Sequence, residues 1–410
     1  MPDLLADARW IFVEDSPFLP ARGGGEREHL GMLVAAHRAG VLAAVVLPGP
    51  ADLDLTPYTD ELGDVPVILA PRRELPWLLL HPRDPYTVAS RPVPADLLAR
   101  LRREAPGATG VVVTSAKSRR IGQAVAEGLG LPTVLRMHNR EGEYHHALAA
   151  GTSGPRGLAL RWEARRIDRD EVDLGRAGWL RGIADISAAD AAWRATTTTV
   201  PVAAVAPFAA GLSLGQADDE AGGGAASPVA GRDEAQVVFV GALDIATNVT
   251  ALAWLLDSVW PAVRSGQPQA RLVVVGRHPD SALQARLART EGVRLEADVP
   301  EVGPYLHRSA VAVNPAVSGS GVNIKLVEYL QAGCAVVSTS LATRGLPLEP
   351  DVDLLVRDEP DGFAHAVSAL LADPVAARRL GTTGREHLLA LLDPDRLLRQ
   401  VAALMVGRPG

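Results

Sequence analysis

Several residue types and patterns are scarce in this sequence, and each scarcity excludes a class of protein. One cysteine, Cys334, occurs in 410 residues, so a single chain can build neither a disulfide framework nor a thiolate zinc cluster. No apolar run reaches the roughly 18 to 20 residues of a membrane span. The formal net charge of -7 gives no global attraction to nucleic acid or to an anionic membrane, although it leaves room for a local basic surface. We therefore expect a cytoplasmic, globular protein with no integral membrane segment and no nucleic-acid partner.

Lysine is almost absent. Of the 41 basic residues only Lys117 and Lys325 are lysines, and arginine takes the other positions. Lys117 begins a predicted helix, and we expect its ammonium group to be solvated. The alternative is a basic cluster with Arg119 and Arg120 that meets an anionic acceptor.

The chain alternates short apolar, β-rich runs with longer helical patterns, which is typical of parallel α/β architecture. Segment 215–235 contains almost no large apolar residues and is predicted to be a flexible linker. It separates a first domain, 1–214, from a second domain, 236–392. A last helix within 393–410 is expected to pack back towards the first domain. Because ligands of open α/β sheets bind beyond the carboxyl ends of the strands, we expect a ligand in a cleft between the two domains.

The strongest local feature is the segment SGSGVNIKLVEYLQA. Gly319 and Gly321 flank Ser320 just before a predicted helix, whose free backbone N–H groups favour an anion. Lys325 lies in the first turn, and Glu328 follows three residues later on nearly the same face. A cation for phosphate and a carboxylate for ribose hydroxyls would serve a nucleoside diphosphate. The alternative is a glycine-rich turn that opens an amphipathic helix with an exposed Lys–Glu pair.

The second domain resembles the donor-binding half of GT-B glycosyltransferases, specifically the retaining family 4 group. A linked series of segments carries the resemblance, namely VVFVGALDIATNVTALAWLLDSVWP, RLVVVGR, DVPEVGPYLHRSAVAVNP, GSGVNIKLVEYLQAGCAVVST and ATRGL. The resemblance implies the GT-B fold, with two Rossmann-like α/β domains whose parallel sheets face each other across a cleft. It also implies transfer of a sugar from a nucleoside diphosphate sugar, with retention at the anomeric carbon.

In that family two glutamates eight residues apart bracket the loop and the helix; the first contacts the donor sugar and the second the ribose. Glu328 matches the second glutamate, whereas Ser320 stands at the position of the first. A branch of the family with a glycine-rich loop and a lysine is more similar to this sequence. There Lys325 would hold the diphosphate, replacing an Arg/Lys pair that this chain lacks between Leu243 and Asn248.

The resemblance implies further donor contacts in the second domain. Gly241 would approach the phosphates, and Gly276 and Arg277 would follow a strand that lines the base and diphosphate pocket. Val299 would contact the base. A guanidinium at the carboxyl end of a strand is suited to pair with a phosphate, and the alternative for Arg277 is an ordinary surface charge.

The first domain offers a glycine-rich loop and a histidine. Gly24 and Gly25, in PARGGGERE, would face the donor and acceptor as in the family, or form an ordinary flexible loop. In LRMHNREGEYHH, His138 would reach the donor sugar, with Asn139 and Glu141 on the acceptor side; the alternative is a satisfied loop histidine. A metal site that combines His138 and Glu141 with one of the next histidines is disfavoured, because neither HExxH spacing nor paired cysteines are present.

The resulting hypothesis is a metal-independent enzyme without a resident cofactor. Lys325, Arg277 and the helix N-terminus would stabilise negative charge on the leaving diphosphate, while His138 positions the sugar. The partners are a nucleotide-sugar donor and a small-molecule or glycan acceptor. Two alternatives stay open: a nucleotide-sugar epimerase or hydrolase of GT-B fold, and a non-catalytic two-lobed ligand-binding protein.

Overall fold

The computed structural model divides the chain into two compact units, residues Met1–Ala209 with Leu392–Gly410, and residues Ala210–Leu391. The residues that the structure describes are 3–21, 24–73, 84–208, 231–317 and 322–407.

The first unit is built around a parallel sheet of seven strands. In chain order these are β1 (Trp10–Val13), β2 (Leu42–Gly49), β3 (Val67–Pro71), β4 (Gly110–Val113), β5 (Thr133–Met137), β6 (Gly182–Asp185) and β7 (Val202–Ala204). They lie in the order β3-β2-β1-β4-β5-β6-β7. Strands β2 and β3 are thus added on one side of β1 and strands β4 to β7 on the other, so the strand order reverses between β1 and β4. The helices between them are α1 (Gly24–Arg38), α2 (Thr56–Leu62), α3 (Tyr86–Ala89), α4 (Leu97–Glu104), α5 (Arg119–Leu129), α6 (Glu141–Ala150), α7 (Gly154–Leu174) and α8 (Ala188–Ala195).

Strand β1 shows why this sheet is covered by helices on both faces. Its four residues, WIFV, are all buried. Phe12 belongs to one apolar core, whereas Ile11 and Val13 belong to another. Successive side chains of a strand point to opposite faces of the sheet, so a wholly apolar strand needs a covering layer on each side.

The second unit repeats this architecture with six parallel strands. They are β8 (Asp233–Val240), β9 (Arg271–Gly276), β10 (Val293–Ala297), β11 (Ser309–Asn314), β12 (Ala335–Ser338) and β13 (Leu355–Val356). Their order is β10-β9-β8-β11-β12-β13, with the reversal between β8 and β11. Its helices are α9 (Ala246–Trp254), α10 (Trp260–Gly266), α11 (Ser281–Arg289), α12 (Gly303–Arg308), α13 (Ile324–Gln331), α14 (Ser340–Thr343), α15 (Pro360–Ala372) and α16 (Pro374–Leu391). The prediction of two parallel α/β domains is confirmed.

The chain returns to the first unit in helix α17 (Pro394–Met405). Leu397, Leu398 and Val401 are buried in the same core as Phe12. The spacing of these residues places them on one side of the helix, so α17 covers part of one face of the first sheet.

The segment 215–235, predicted to be a linker, lies largely outside the described residues. Its last residues belong to β8, which begins at Asp233, and residues 215–230 are not described. None of the helices in the described ranges combines the length and the apolar content needed to cross a membrane.

The carboxyl ends of the strands at the two reversal points are where ligands of such sheets bind. In the first unit these ends lead into Glu14 after β1 and Thr114 after β4. In the second unit they lead into Gly241 after β8 and Pro315 after β11. The candidate sites are therefore built around these four positions.

Candidate functional site

Lys325 lies at the reversal point of the second sheet, in the first turn of α13. Its Nζ donates to Oδ1 of Asn248 over 2.6 Å and lies 5.4 Å from the centroid of the Phe239 ring. Phe239 belongs to β8 and is completely buried. The ammonium group is thus held between the central strand and α9.

The surroundings of Lys325 leave its ammonium group poorly solvated, which favours the binding of an anion. Burial lowers the pKa of Lys325 to about 8, while the carboxylate of Glu328 opposes that shift. Within the described ranges Asn248 supplies the one hydrogen-bond acceptor found for this ammonium group. An ammonium ion has three N–H donors, and Asn248 accepts from one of them. An anion that accepts from the other two would replace the water molecules that burial excludes.

Asn248 is a residue that the sequence interpretation missed. Besides accepting from Lys325, its Nδ2 donates to the carbonyl of Ala242 over 3.0 Å. It therefore ties the lysine to the loop that follows β8. The sequence shows this amide at the end of a loop that lacks a cation, but it does not show that the amide meets Lys325.

The carboxyl ends of β8 and β9 approach each other closely. Leu243 N donates to the carbonyl of Arg277 over 2.8 Å, and Gly241 N donates to that of Val275 over 3.0 Å. A Cβ atom on Gly276 would lie only 2.3 Å from the Gly241 carbonyl oxygen, so a side chain at residue 276 would force the strand ends apart. The structure thus brings Gly241, Gly276 and Arg277 together at one end of the sheet.

Asn314 adds a polar side chain at the same reversal point. It ends β11, is 1% exposed, and accepts from Nδ2 of Asn323 over 3.4 Å through its Oδ1. Its own Nδ2 is buried and has no hydrogen-bond acceptor among the described residues. The end of β11 therefore offers an unused amide donor.

The remaining residues predicted on the donor side lie in different surroundings. Glu328 is buried on α13, close enough to Lys325 for its charge to act on the pKa of the lysine. Val299 is half-buried beyond the end of β10, which is an edge strand. The predicted loop residues Gly319, Ser320 and Gly321 lie outside the described residues.

In the first unit, two helical residues were missed that hold His138 in place. Nε2 of His138, directly after β5, donates to Oε2 of Glu28 over 2.5 Å. The other oxygen of Glu28 accepts from Nε and Nη2 of Arg136 over 2.8 and 2.6 Å. Burial opposes ionisation of Glu28, but the charges of Arg136 and His138 hold the pKa of that carboxyl well below its usual range. Glu28 is therefore a charged, buried support for the imidazole.

His29, the second missed residue, is likewise paired with a buried carboxylate, that of Glu14. Its Nδ1 lies 2.5 Å from Oε2 of Glu14, which also accepts from the Thr114 hydroxyl over 2.8 Å. The His29 ring stacks on that of His138 with centroids 4.7 Å apart. Burial opposes its charge, but Glu14 and its acidic neighbours raise the pKa of His29 to about 9, so it is protonated at neutral pH.

Both residues belong to the sequence GGGEREHL and follow the glycines on which the sequence prediction rests. A carboxylate and an imidazole next to the buried Met32 and Leu33 were the overlooked signal, because ionisable groups on the apolar side of a helix need partners. Gly24 and Gly25 form the start of α1, and a Cβ at Gly25 would meet open space.

The structure corrects the expectation for Lys117. Its ammonium group lies 3.5 Å from Asp15 and 3.4 Å from Glu141, and its side chain is only 29% exposed. Burial opposes the charge, but Glu141 and Asp15 raise the pKa of Lys117. The expectation of a solvated lysine was wrong because its two carboxylates come from the ends of different elements.

The two arginines of the alternative interpretation, a basic cluster with Lys117, are paired within the chain. Arg119 donates to Asp84 over 2.7 Å and also pairs with Asp170, and Arg120 shares Asp84. The acceptor-side prediction Asn139 is half-buried, and its Oδ1 has no donor among the described residues.

Three side chains could in principle hold a metal ion. Glu28, His29 and His138 present ligand atoms within 4.8 Å of one another. However, Glu28 is paired with Arg136, and His29 carries a proton at neutral pH. A cation would have to displace both positive charges, so the electrostatics of this cluster oppose metal binding.

Comparison with protein families finds a match within the second unit. Residues 234–373 match the family described as "Glycosyl transferases group 1". A Klebsiella pneumoniae protein, described as an uncharacterized 44.6 kDa protein in the cps region, is 24% identical over 138 residues. That match covers 32% of this chain and 36% of the relative, so it spans about a third of either protein.

Solved structures match almost the whole chain. Anabaena Alr3699/HepE in complex with UDP and glucose has a TM-score of 0.63 at 13% identity, covering 97% of this chain and 99% of that one. Sucrose-phosphate synthase from Thermosynechococcus elongatus has a TM-score of 0.65 at 17% identity, covering 97% and 98%. TarM has a TM-score of 0.67 at 10% identity with the same coverage. The predicted GT-B fold is confirmed, and the predicted enzyme class, a glycosyltransferase, agrees with the domain match.

The charged His29–Glu14 pair predicts a pH-dependent cost of replacing His29. The folded-state pKa of about 9 exceeds the ordinary value of 6.5, so the pair stabilises fully below pH 6.5 and loses this effect as pH rises through 9. His29→Gln should therefore lower the free energy of unfolding, and this destabilisation should become smaller by up to about 3 kcal/mol as the pH rises from 6.5 to above 9. Denaturant titrations at a series of pH values measure it. His146→Gln, at an exposed histidine, is the control, and a cost of His29→Gln that does not change with pH contradicts the assignment.

Proposed function

We propose that this protein is a retaining, metal-independent glycosyltransferase of family 4. It transfers a sugar from a nucleoside diphosphate sugar to a small-molecule or glycan acceptor. The observation that carries the proposal is the half-buried ammonium group of Lys325, with one hydrogen-bond acceptor among the described residues, at the reversal point of a sheet and inside the segment that matches glycosyl transferases group 1. UDP is the first nucleotide to test, because the Alr3699/HepE structures contain UDP or UDP-glucose.

The main demand of this chemistry is to stabilise the negative charge that develops on the leaving diphosphate. Lys325 supplies a cation whose charge is little screened by water, and Arg277 supplies a second at the end of β9. The buried amide of Asn314 and the N-terminus of α13 add neutral donors at the same end of the sheet. Gly241 and Gly276 let the backbone approach the phosphates, Glu328 accepts from the ribose, and Val299 contacts the base.

In the first unit we assign His138 to the donor sugar. Its Nε2 is used by Glu28, so the imidazole is fixed in orientation and presents its other edge. The unused Oδ1 of Asn139 suits a hydroxyl donor of the acceptor, with Glu141 beside it. In the transfer step the bond between the anomeric carbon and the diphosphate oxygen breaks, and the acceptor oxygen bonds to that carbon on the same face. The acceptor proton passes to the leaving phosphate.

Replacement of Lys325 tests the donor site. Lys325→Ala should weaken UDP binding by more than about 1.5 kcal/mol, roughly tenfold, because a charge-assisted contact is lost. Isothermal titration calorimetry with UDP, GDP and dTDP measures this. The matched control is Arg378→Ala, an exposed cation of the same unit that pairs only at the surface, and it should bind like the wild type. If no nucleotide binds to the wild type, the proposed function is wrong.

Product analysis tests the reaction. Incubation of UDP-sugars with a panel of acceptors should give a glycoside whose anomeric configuration equals that of the donor, as read from the anomeric proton coupling in NMR spectra. Release of free sugar or conversion of the donor in the absence of acceptor indicates a hydrolase or an epimerase instead. An inverted product contradicts the retaining mechanism but leaves glycosyl transfer intact.

A further inference from the structure

Exposed apolar side chains are concentrated on one helical hairpin, formed by α6 and α7 and joined by residues 151–153. Of the nine large apolar side chains found exposed in the described chain, four lie on it. They are Tyr144 at 47%, Leu148 at 45%, Leu158 at 64% and Trp162 at 47%. Single exposed apolar residues are normal on a protein surface, but such a concentration marks an interaction site.

Helix α7 combines these apolar groups with positive charge on one face. Leu158, Trp162, Arg165 and Arg169 follow one another at spacings of four, three and four residues, which keeps them in one stripe, and Arg161 borders it. All five are exposed. No carboxylate in the described part of the chain pairs with these three arginines. We call these five residues the α7 stripe.

Trp162 is held in its exposed position. The guanidinium carbon of Arg166 lies 4.2 Å from the centroid of the Trp162 side chain, and Arg166 is 2% exposed. Glu163 accepts from Arg166 over 2.9 Å. One face of the indole therefore packs on a buried cation while the ring stays half-exposed, which lowers the entropy that a binding event would cost.

We propose that the α7 stripe binds the surface of an anionic lipid bilayer. Tryptophan and tyrosine prefer the headgroup level of a membrane, and leucine side chains enter the acyl boundary. Arginines beside them pair with anionic headgroups. The net charge of -7 does not prevent this, because charges separated by more than about 8 Å are largely screened at physiological ionic strength.

Charge argues against a second copy of the chain as the occupant. In a twofold contact the same patch meets itself, so Arg161, Arg165 and Arg169 would face the same three arginines of the other copy. Asp168 lies beside them on α7, but its half-exposed carboxylate pairs with His146 of the same hairpin. An anionic surface is complementary to the stripe in charge as well as in its apolar content.

Vesicle flotation with the full chain tests the proposal. The protein should float with phosphatidylcholine vesicles that contain phosphatidylglycerol and not with phosphatidylcholine alone, and high salt should reduce the bound fraction. The double variant Leu158→Ser, Trp162→Ser should lower the apparent affinity at least about tenfold, and Arg161→Glu with Arg165→Glu should do the same. Val375→Ser, at a 68% exposed valine of α16, is the matched control and should float like the wild type.

Three results would overturn the proposal. The first is the absence of flotation with anionic vesicles, and the second is unchanged flotation of both double variants. The third is a dimer, detected by light scattering, that Leu158→Ser with Trp162→Ser dissociates, because the stripe would then be a contact between copies. UDP binding measured on the same samples tests the proposed function separately, and far-UV circular dichroism shows that the variants are folded.

Discussion

The proposed donor site depends on the partial burial of a single ammonium group. Lys325 is packed against the ring of Phe239 and bonded to a neutral amide oxygen of Asn248, which costs solvation that these contacts only partly restore. Its pKa near 8 expresses that cost. A site with this property gains from an incoming anion, because the anion replaces the missing solvation at a position where screening is weak. The neighbouring strand ends meet at Gly241 and Gly276, which carry no side chains.

In the first unit, by contrast, the charged groups away from water are paired with groups of opposite charge. Glu28 is paired with Arg136 and His138, Glu14 with His29, and Lys117 with Asp15 and Glu141. Breaking such a pair leaves an uncompensated buried charge, which is strongly destabilising. We infer that these pairs fix side-chain positions, whereas the second unit keeps a cation for a ligand.

The general architecture could be predicted because it depends on local patterns. Wholly apolar strands such as WIFV require helices on both faces, and the segment around Lys325 combines glycines with a helix start. Contacts between distant residues could not be predicted. Glu28 meets Arg136 across 108 residues, and Lys325 meets Asn248 across 77. The error for Lys117 has the same origin, since its partners Asp15 and Glu141 are brought to it only by the order of β1, β4 and β5 in the sheet.

The two lysines of the chain allow a direct measurement of the central claim. With 13C at the lysine ε carbons, NMR spectra should contain one signal each for Lys117 and Lys325, assigned with Lys117→Arg. The Lys325 signal should titrate near pH 8, and the Lys117 signal above its ordinary value of 10.5. Saturating UDP should move the Lys325 titration to higher pH and leave that of Lys117 unchanged. A Lys325 signal that does not respond to UDP, or a response confined to Lys117, would contradict the account.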